Sequence, residues 1–207
     1  MTWLAETRTS YDTVAEDYAA FTRAALADQP YLLAALGLFA AQIGDGPVAD
    51  IGCGPGHVTA RLRELGVDAH GVDLSPGMIE VARRSHPGTR FEVGSMTDPP
   101  PVASLAGILA WQSLIHLPDE VVPAVLAHFR RALRPGGRLH LLFHAGTGTR
   151  LKTEGYGGHP MRVRIHRRTP ERMSGWLREA GFTVEAQLTL NPETPAPQAI
   201  LFACRNE

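Results

Sequence analysis

Lysine is nearly missing from this chain of 207 residues. Lys152 is the only one, so 19 of the 20 cationic residues are arginines. Against 21 acidic residues they leave a formal charge of −1, which argues against a broadly basic nucleic-acid binder. Guanidinium groups read anions in a planar, bidentate way, but a coding sequence rich in G and C produces the same bias. Most of the excess is read as codon usage. Cysteine is also scarce. Cys53 and Cys204 lie far apart with no CxxC pair, which excludes a disulfide framework and a cysteine zinc site and fits a reducing, cytoplasmic setting. The histidines are scattered without supporting carboxylates, so no metal site is expected. No apolar run approaches the roughly eighteen residues of a membrane span. The N-terminal stretch carries acids early and lacks an apolar segment, so neither a signal peptide nor membrane attachment is expected. Repeats and low-complexity tracts are absent.

What is present reads as one ordinary globular domain, with 44% hydrophobic and 20% charged residues. Tyr11, Val14, Tyr18 and Phe21 recur at helical spacing and predict a helix over 10–27. Pro30 opens a second helix reaching Ile43, and Gly44-Asp45-Gly46-Pro47 breaks the chain. Strand and helix then alternate. Strands are expected at 48–51, 68–72, 90–93, 107–111 and 139–143, with helices ending near Gly66 and covering 78–84 and 118–133. Parallel strands need such crossovers, so the pattern predicts a doubly wound α/β sheet. Beyond it, Met161, Val163 and Ile165 alternate with Arg162, Arg164 and His166, a strand with one wet face. A helix from Thr169-Pro170 to Ala180 and two strands, 182–190 and 199–203, complete the chain.

Chemistry concentrates where the first strand meets the first crossover helix, at Asp50-Ile51-Gly52-Cys53-Gly54-Pro55-Gly56. Glycines let a backbone approach a ligand closely and present amides at a helix start. Asp73, at the tip of the second strand, suits a ribose hydroxyl pair. A dinucleotide loop needs glycine or alanine as the sixth residue of G-x-G-x-x-G/A, and here that residue is His57. With Asp50 two residues before the first glycine, the segment resembles the D/E-x-G-x-G-x-G motif of class I S-adenosylmethionine-dependent methyltransferases. The resemblance extends over 48–143, including Leu133-Arg134-Pro135-Gly136-Gly137-Arg138-Leu139 before the fifth strand. It also takes in the C-terminal strand pair, which is similar to that superfamily's closing hairpin.

The resemblance implies a mostly parallel seven-stranded sheet of order 3-2-1-4-5-7-6 with strand 7 antiparallel. Within a single domain, 1–45 would be a helical lid, 46–143 the cofactor-binding core, 144–168 a substrate-side insert, and 169–207 a helix with the closing hairpin. It implies S-adenosyl-L-methionine as cofactor and S-adenosyl-L-homocysteine as product. Asp50, Gly52, Cys53, Gly54 and Gly56 would surround its methionine part, and Asp73 and Leu74 its ribose and adenine. Ser95 stands where many members carry an aspartate, with Met96 as an apolar lid on the ring. Trp111 and Gln112 would lie beside the methyl group, and Tyr11 and Tyr18 would cover the cofactor. Expected partners are a small molecule offering an O, N or C nucleophile, with no nucleic acid and no membrane.

Histidine is the side chain suited to removing a proton near neutral pH. His116 and His144 follow the fourth and fifth strands at the ligand-binding edge and are the candidate bases, though His116 also fits a helix cap. His159, in a glycine-rich loop, and Arg162 and Arg164 are candidates for an anionic substrate. The same arginines equally suit a solvated edge strand. Two other readings remain at this stage: a nicotinamide-dependent oxidoreductase on a related sheet, and a non-catalytic S-adenosylmethionine-binding regulator.

Overall fold

The computed structural model describes residues 2–98 and 104–207, so the expected core over 46–143 is described apart from 99–103. Three helices open the chain: α1 (Trp3–Thr13), α2 (Ala15–Ala27) and α3 (Pro30–Gln42). The alternating part runs β1 (Val48–Ile51), α4 (His57–Glu64), β2 (Ala69–Asp73), α5 (Pro76–Ser85), β3 (Phe91–Val93) and β4 (Leu105–Trp111). A one-turn helix at Leu114–His116, α6 (Val122–Ala132) and β5 (Leu133–His144) follow. The chain ends with β6 (Thr149–Glu154), β7 (Pro160–His166), α7 (Pro170–Glu179), β8 (Phe182–Leu190) and β9 (Gln198–Arg205).

The main sheet has the order β3-β2-β1-β4-β5-β9-β8, and β6 and β7 form a separate two-stranded sheet. Once that hairpin is left out of the count, this is the expected 3-2-1-4-5-7-6 order. β9 runs antiparallel to β5 and β8. β4 is buried on both faces, as a central parallel strand flanked by helices must be. Its Ile108 and Ala110 pack under α6 and α7, whereas Leu109 and Trp111 pack under α3 and α4.

Four expectations on the elements are corrected. The helix expected over 10–27 is two helices, because Val14 leaves helical geometry to bury its side chain with Met161 and Val163. The first of the two begins at Trp3, capped by the Thr2 hydroxyl, which accepts from the Ala5 N–H. The fifth strand starts at Leu133, which pairs with Leu105 before the Pro-Gly-Gly turn interrupts the register up to Arg138. β6 was not expected at all: Thr149–Glu154 is mostly exposed, so it has no apolar period and is fixed only by pairing with β7.

Candidate active site

The carboxyl ends of β1, β2 and β4 converge at one edge of the sheet, where open α/β folds bind ligands. The parallel register leaves Ile51 and Asp73 at the tips of β1 and β2, and Trp111 at that of β4. The glycine turn hugs this edge. Gly52 adopts φ +76°, and a Cβ there would lie 2.3 Å from the Ser113 Cβ. Gly56 adopts φ +82° with its α-carbon face against the Phe91 ring, 2.6 Å from where a Cβ would stand. Only glycine tolerates both demands. The turn thereby aims the Gly54 N–H at Asp73 Oδ2, 2.8 Å away, while the Ser75 N–H donates to Asp73 Oδ1 at 2.8 Å. Two backbone donors fix the carboxylate rigidly and leave each oxygen a further lone pair for a ligand hydroxyl. Burial still raises its pKa above the usual carboxylate range.

Asp50 lies deeper. Its Oδ2 accepts from the Thr59 hydroxyl at 2.6 Å, and burial pushes its pKa up to about 7. The Cys53 side chain turns into the core with Ile79, Ala82 and Phe91.

The cleft is closed by α1. Asp12 accepts from the Ser75 hydroxyl at 2.6 Å and from the Gly77 N–H at 2.9 Å, seating a carboxylate on the N-terminal turn of α5. The Ser10 hydroxyl accepts from the Arg162 N–H at 2.8 Å, tying the same helix to β7. Beneath α1 lies a first, narrow chamber, about 730 Å³ when the open space at its mouth is counted with it. Tyr11, Tyr18, Asp73, Leu74, Met96 and Trp111 are among its walls. Ser95 lines it too, but its hydroxyl is engaged locally with Thr97. A second, wider chamber of about 1530 Å³ lies between α2, the carboxyl ends of β4 and β5, and the β6–β7 hairpin. Tyr11, Tyr18, Gly52, Trp111, Gln112 and His116 border both chambers. That shared wall is where a group could pass from one chamber to the other.

The wall has defined protonation. His116 Nδ1 lies 2.9 Å from the Arg164 carbonyl, which can only accept, so Nδ1 carries the proton. Nε2 is then a bare acceptor for the Tyr11 O–H, 2.8 Å away. Burial lowers the His116 pKa to about 4 and raises that of Tyr11 well above its usual value. Gln112 sits at φ +53°, a strained position of the kind that collects at ligand sites. Its Oε1, the Trp111 Nε1 and the His144 Nδ1 are buried atoms with no hydrogen-bond partner. All three belong to residues at the ends of β4 and β5, and each residue borders the second chamber.

Three of the expected substrate residues do not reach either chamber. Arg162 Nε pairs with Glu6 at 3.0 Å, and Arg164 approaches the same carboxylate at 4.0 Å. Both are exposed on the outer face of β7, because the alternation turns Met161 and Val163 inward. His159 lies outside as well, 3.1 Å from Asp17. In their place stand residues that the sequence left unassigned. Tyr156 packs edge-on against Tyr18 at 4.8 Å between centroids, Trp3 lines the first chamber, and Lys152 lines the second. Arg168, although charged, is buried: its guanidinium donates to Asp119 at 2.9 Å, to the Leu114 carbonyl at 3.0 Å and to the Leu117 carbonyl. It therefore clamps the turn that carries His116. Composition placed these residues nowhere, since each depends on a partner distant in sequence.

Residues 48–137 match the family described as a methyltransferase domain. Over that segment the chain resembles a methyltransferase domain. It is 34% identical over 158 residues to trans-aconitate 2-methyltransferase of Methylobacterium nodulans, an alignment covering 67% of this chain and 58% of that protein. It is 34% identical over 88 residues to malonyl-[acyl-carrier protein] O-methyltransferase of Serratia marcescens, covering 42% of this chain and 34% of the other. The chain thus spans 34% to 58% of the length of these two curated relatives. Among solved structures, the 1,6-didemethyltoxoflavin-N1-methyltransferase of Burkholderia thailandensis, with bound S-adenosylhomocysteine, superposes with TM-score 0.74 at 24% identity. That match covers 98% of this chain and 88% of the other. A TehB-like S-adenosylmethionine-dependent methyltransferase of Corynebacterium glutamicum superposes with TM-score 0.71 at 21% identity, covering 94% and 99%. The matched segment holds the glycine turn, Asp73 and the Trp111–His116 wall, whereas both α1 and the β6–β7 hairpin lie outside it. No helix among the described residues is long and apolar enough to cross a membrane.

Proposed function

We propose that the protein transfers a methyl group from S-adenosylmethionine to a small molecule, with the cofactor in the first chamber and the acceptor in the second. The observation that carries this reading is Asp73, held by two backbone N–H groups at the floor of a closed aromatic cleft whose far wall opens on another chamber. Asp73 suits the ribose hydroxyls. Leu74 and Met96 suit the adenine faces, and the unpartnered Trp111 Nε1 and Gln112 Oε1 suit polar groups of the amino-acid tail or the acceptor. Gly54, facing Tyr18, keeps the turn free of a side chain where that tail would lie, Gly56 lets the turn pack on Phe91, and Asp50 supports the turn from behind through Thr59.

A bound S-adenosylmethionine would supply an electrophilic methyl on a sulfonium, whose carbon would bond in line to the acceptor's nucleophile as the C–S bond breaks and S-adenosylhomocysteine leaves as the neutral thioether. The protein's part is alignment and exclusion of water. Tyr11 and Tyr18 offer π-faces that attract a sulfonium. The Tyr11–His116 pair sits at the crossing point, but His116 is a weak base with its free nitrogen already engaged. We therefore assign Tyr11 and His116 to orienting the acceptor, with the phenol oxygen as the atom that meets it. His144, with Nδ1 unpartnered, is the remaining candidate base. Arg162 and Arg164 line a separate outer pocket with Trp3, Glu6 and His116, and this placement of the acceptor does not call on them or on His159. Thermal shift tests the cofactor: S-adenosylhomocysteine should stabilise the protein and NADH should not. The reverse would replace methyl transfer by a nicotinamide-dependent reaction.

A further inference from the structure

The single lysine of the chain is placed inside the second chamber. Lys152 lies on the otherwise exposed strand β6, yet it is half-buried, and its Nζ sits 3.8 Å from the centroid of the Tyr156 ring. It has no carboxylate partner among the described residues. The four acids of the covering helices α1 and α2 are each engaged elsewhere. Glu6 pairs with Arg162, Asp12 with Ser75 and Gly77, Glu16 with Arg84, and Asp17 with His159. The one carboxyl lining the chamber is Asp50, bonded to Thr59 at its base and driven toward its neutral form by burial. The other titratable groups facing this space are the imidazoles of His57, His116 and His144 and the phenols of Tyr11, Tyr18 and Tyr156. Desolvation by its surroundings and the nearby Arg150 lower the Lys152 pKa.

An ammonium held over a ring in a chamber whose one carboxyl, Asp50, is already bonded to Thr59 is an incomplete pair. Apolar side chains, among them Phe21, Leu26, Leu32 and Ile165, share the lining with the polar Thr22, Gln29, Asn191 and Gln198, and Phe21 packs on the same Tyr156 ring. We infer that the acceptor is a small, partly hydrophobic carboxylic acid whose carboxylate is anchored on Lys152 while its hydrocarbon part packs against the wall of α2 and Tyr156. A carboxylate there completes the charge pair, and an ammonium in partial shelter from water gains more from it than an exposed one. The inference rests on the reading of the second chamber as the acceptor site.

Because Lys152 is the only lysine, protein labelled with ¹³C at lysine Cε gives one side-chain signal, provided any affinity tag lacks lysine. Calorimetry first establishes that S-adenosylhomocysteine binds; failure at that step removes the methyl-transfer reading itself. The loaded protein is then titrated to millimolar concentration with benzoate, cinnamate, hexanoate and octanoate, and with the matching amides. The acids should move the Lys152 signal saturably and raise its titration midpoint, and the amides should leave both unchanged. Lys152→Gln should weaken acid binding about tenfold or more by calorimetry, the scale of one sheltered charge-assisted contact, with cofactor-product affinity kept. Equal shifts with acids and amides, no saturable shift with any acid, or undiminished acid binding by Lys152→Gln in a protein that still binds S-adenosylhomocysteine would overturn the anchor alone.

Discussion

Asp73 and His116 face each other across one cleft, and they are held there by different means. Asp73 is fixed by neighbours that the chain supplies locally: the Gly54 and Ser75 N–H groups come from the turns after β1 and β2. Strand pairing and the left-handed turn at Gly52 put them in place before any side chain is considered. His116 is fixed from a distance. Its two nitrogens meet Tyr11, 105 positions away, and the carbonyl of Arg164, 48 positions away. Its turn is clamped by Arg168, more than 50 positions from both carbonyls it holds. One wall is made of backbone, the other of side chains. On the proposed function the backbone wall serves the cofactor, a ligand that never changes, and the side-chain wall serves the acceptor and can be rebuilt without disturbing the sheet.

The sharpest way to break the backbone wall is Gly52→Ala. The left-handed φ and the 2.3 Å approach to Ser113 cannot both be relieved, so a loss of about 3 kcal/mol in denaturant unfolding is expected, with cofactor binding lost. Arg168→Met tests the other wall. Removing the guanidinium leaves the Leu117 carbonyl without its donor and the Leu114 carbonyl with only the Leu117 N–H, for a loss of roughly 2 kcal/mol. S-adenosylhomocysteine affinity should stay within a few-fold, which calorimetry reads. Equal loss of affinity from both variants would erase the distinction between the walls.

Tyr11→Phe is gentler. It keeps the ring and removes the hydrogen bond to His116, for about 1 kcal/mol of stability, and turnover should fall further than cofactor affinity.

The smallest effect comes from protons. Burial depresses the pKa of His116 to about 4 and that of His140, packed between Phe39 and Phe202, to about 3. The unfolded chain takes up protons near the ordinary value of 6.5 while the folded one does not. Stability is therefore full above that value and is lost as pH falls toward the folded pKa values. Between pH 7 and pH 6 each histidine should cost under about 1 kcal/mol, and His116→Asn should remove its share of that slope.

The same contrast explains what could be read from the sequence. The glycine turn and Asp73 are legible because spacing and period encode them, Asp50 is marked by its place before the first glycine, and the strand order is implied by the resemblance that these motifs carry. Arg162 and Arg164 pointed to a substrate through charge alone, but a period of two cannot say which face of β7 looks into the cleft. Lys152 stands out by composition, yet only the pairing of β6 with β7, and the packing of Tyr156 on Tyr18, turn it inward. Arg168 is invisible to any reading that expects arginine at the surface, because its burial is made possible by three acceptors from a single distant turn.

Calorimetry of S-adenosylhomocysteine against the wild type and Asp73→Ala tests the central claim most directly. Binding in the micromolar range should fall at least about tenfold in the variant, the loss of one charge-assisted contact to the ribose, with the fold kept by circular dichroism. Undiminished binding by Asp73→Ala would place the cofactor elsewhere, and no binding by the wild type at millimolar ligand would contradict the account.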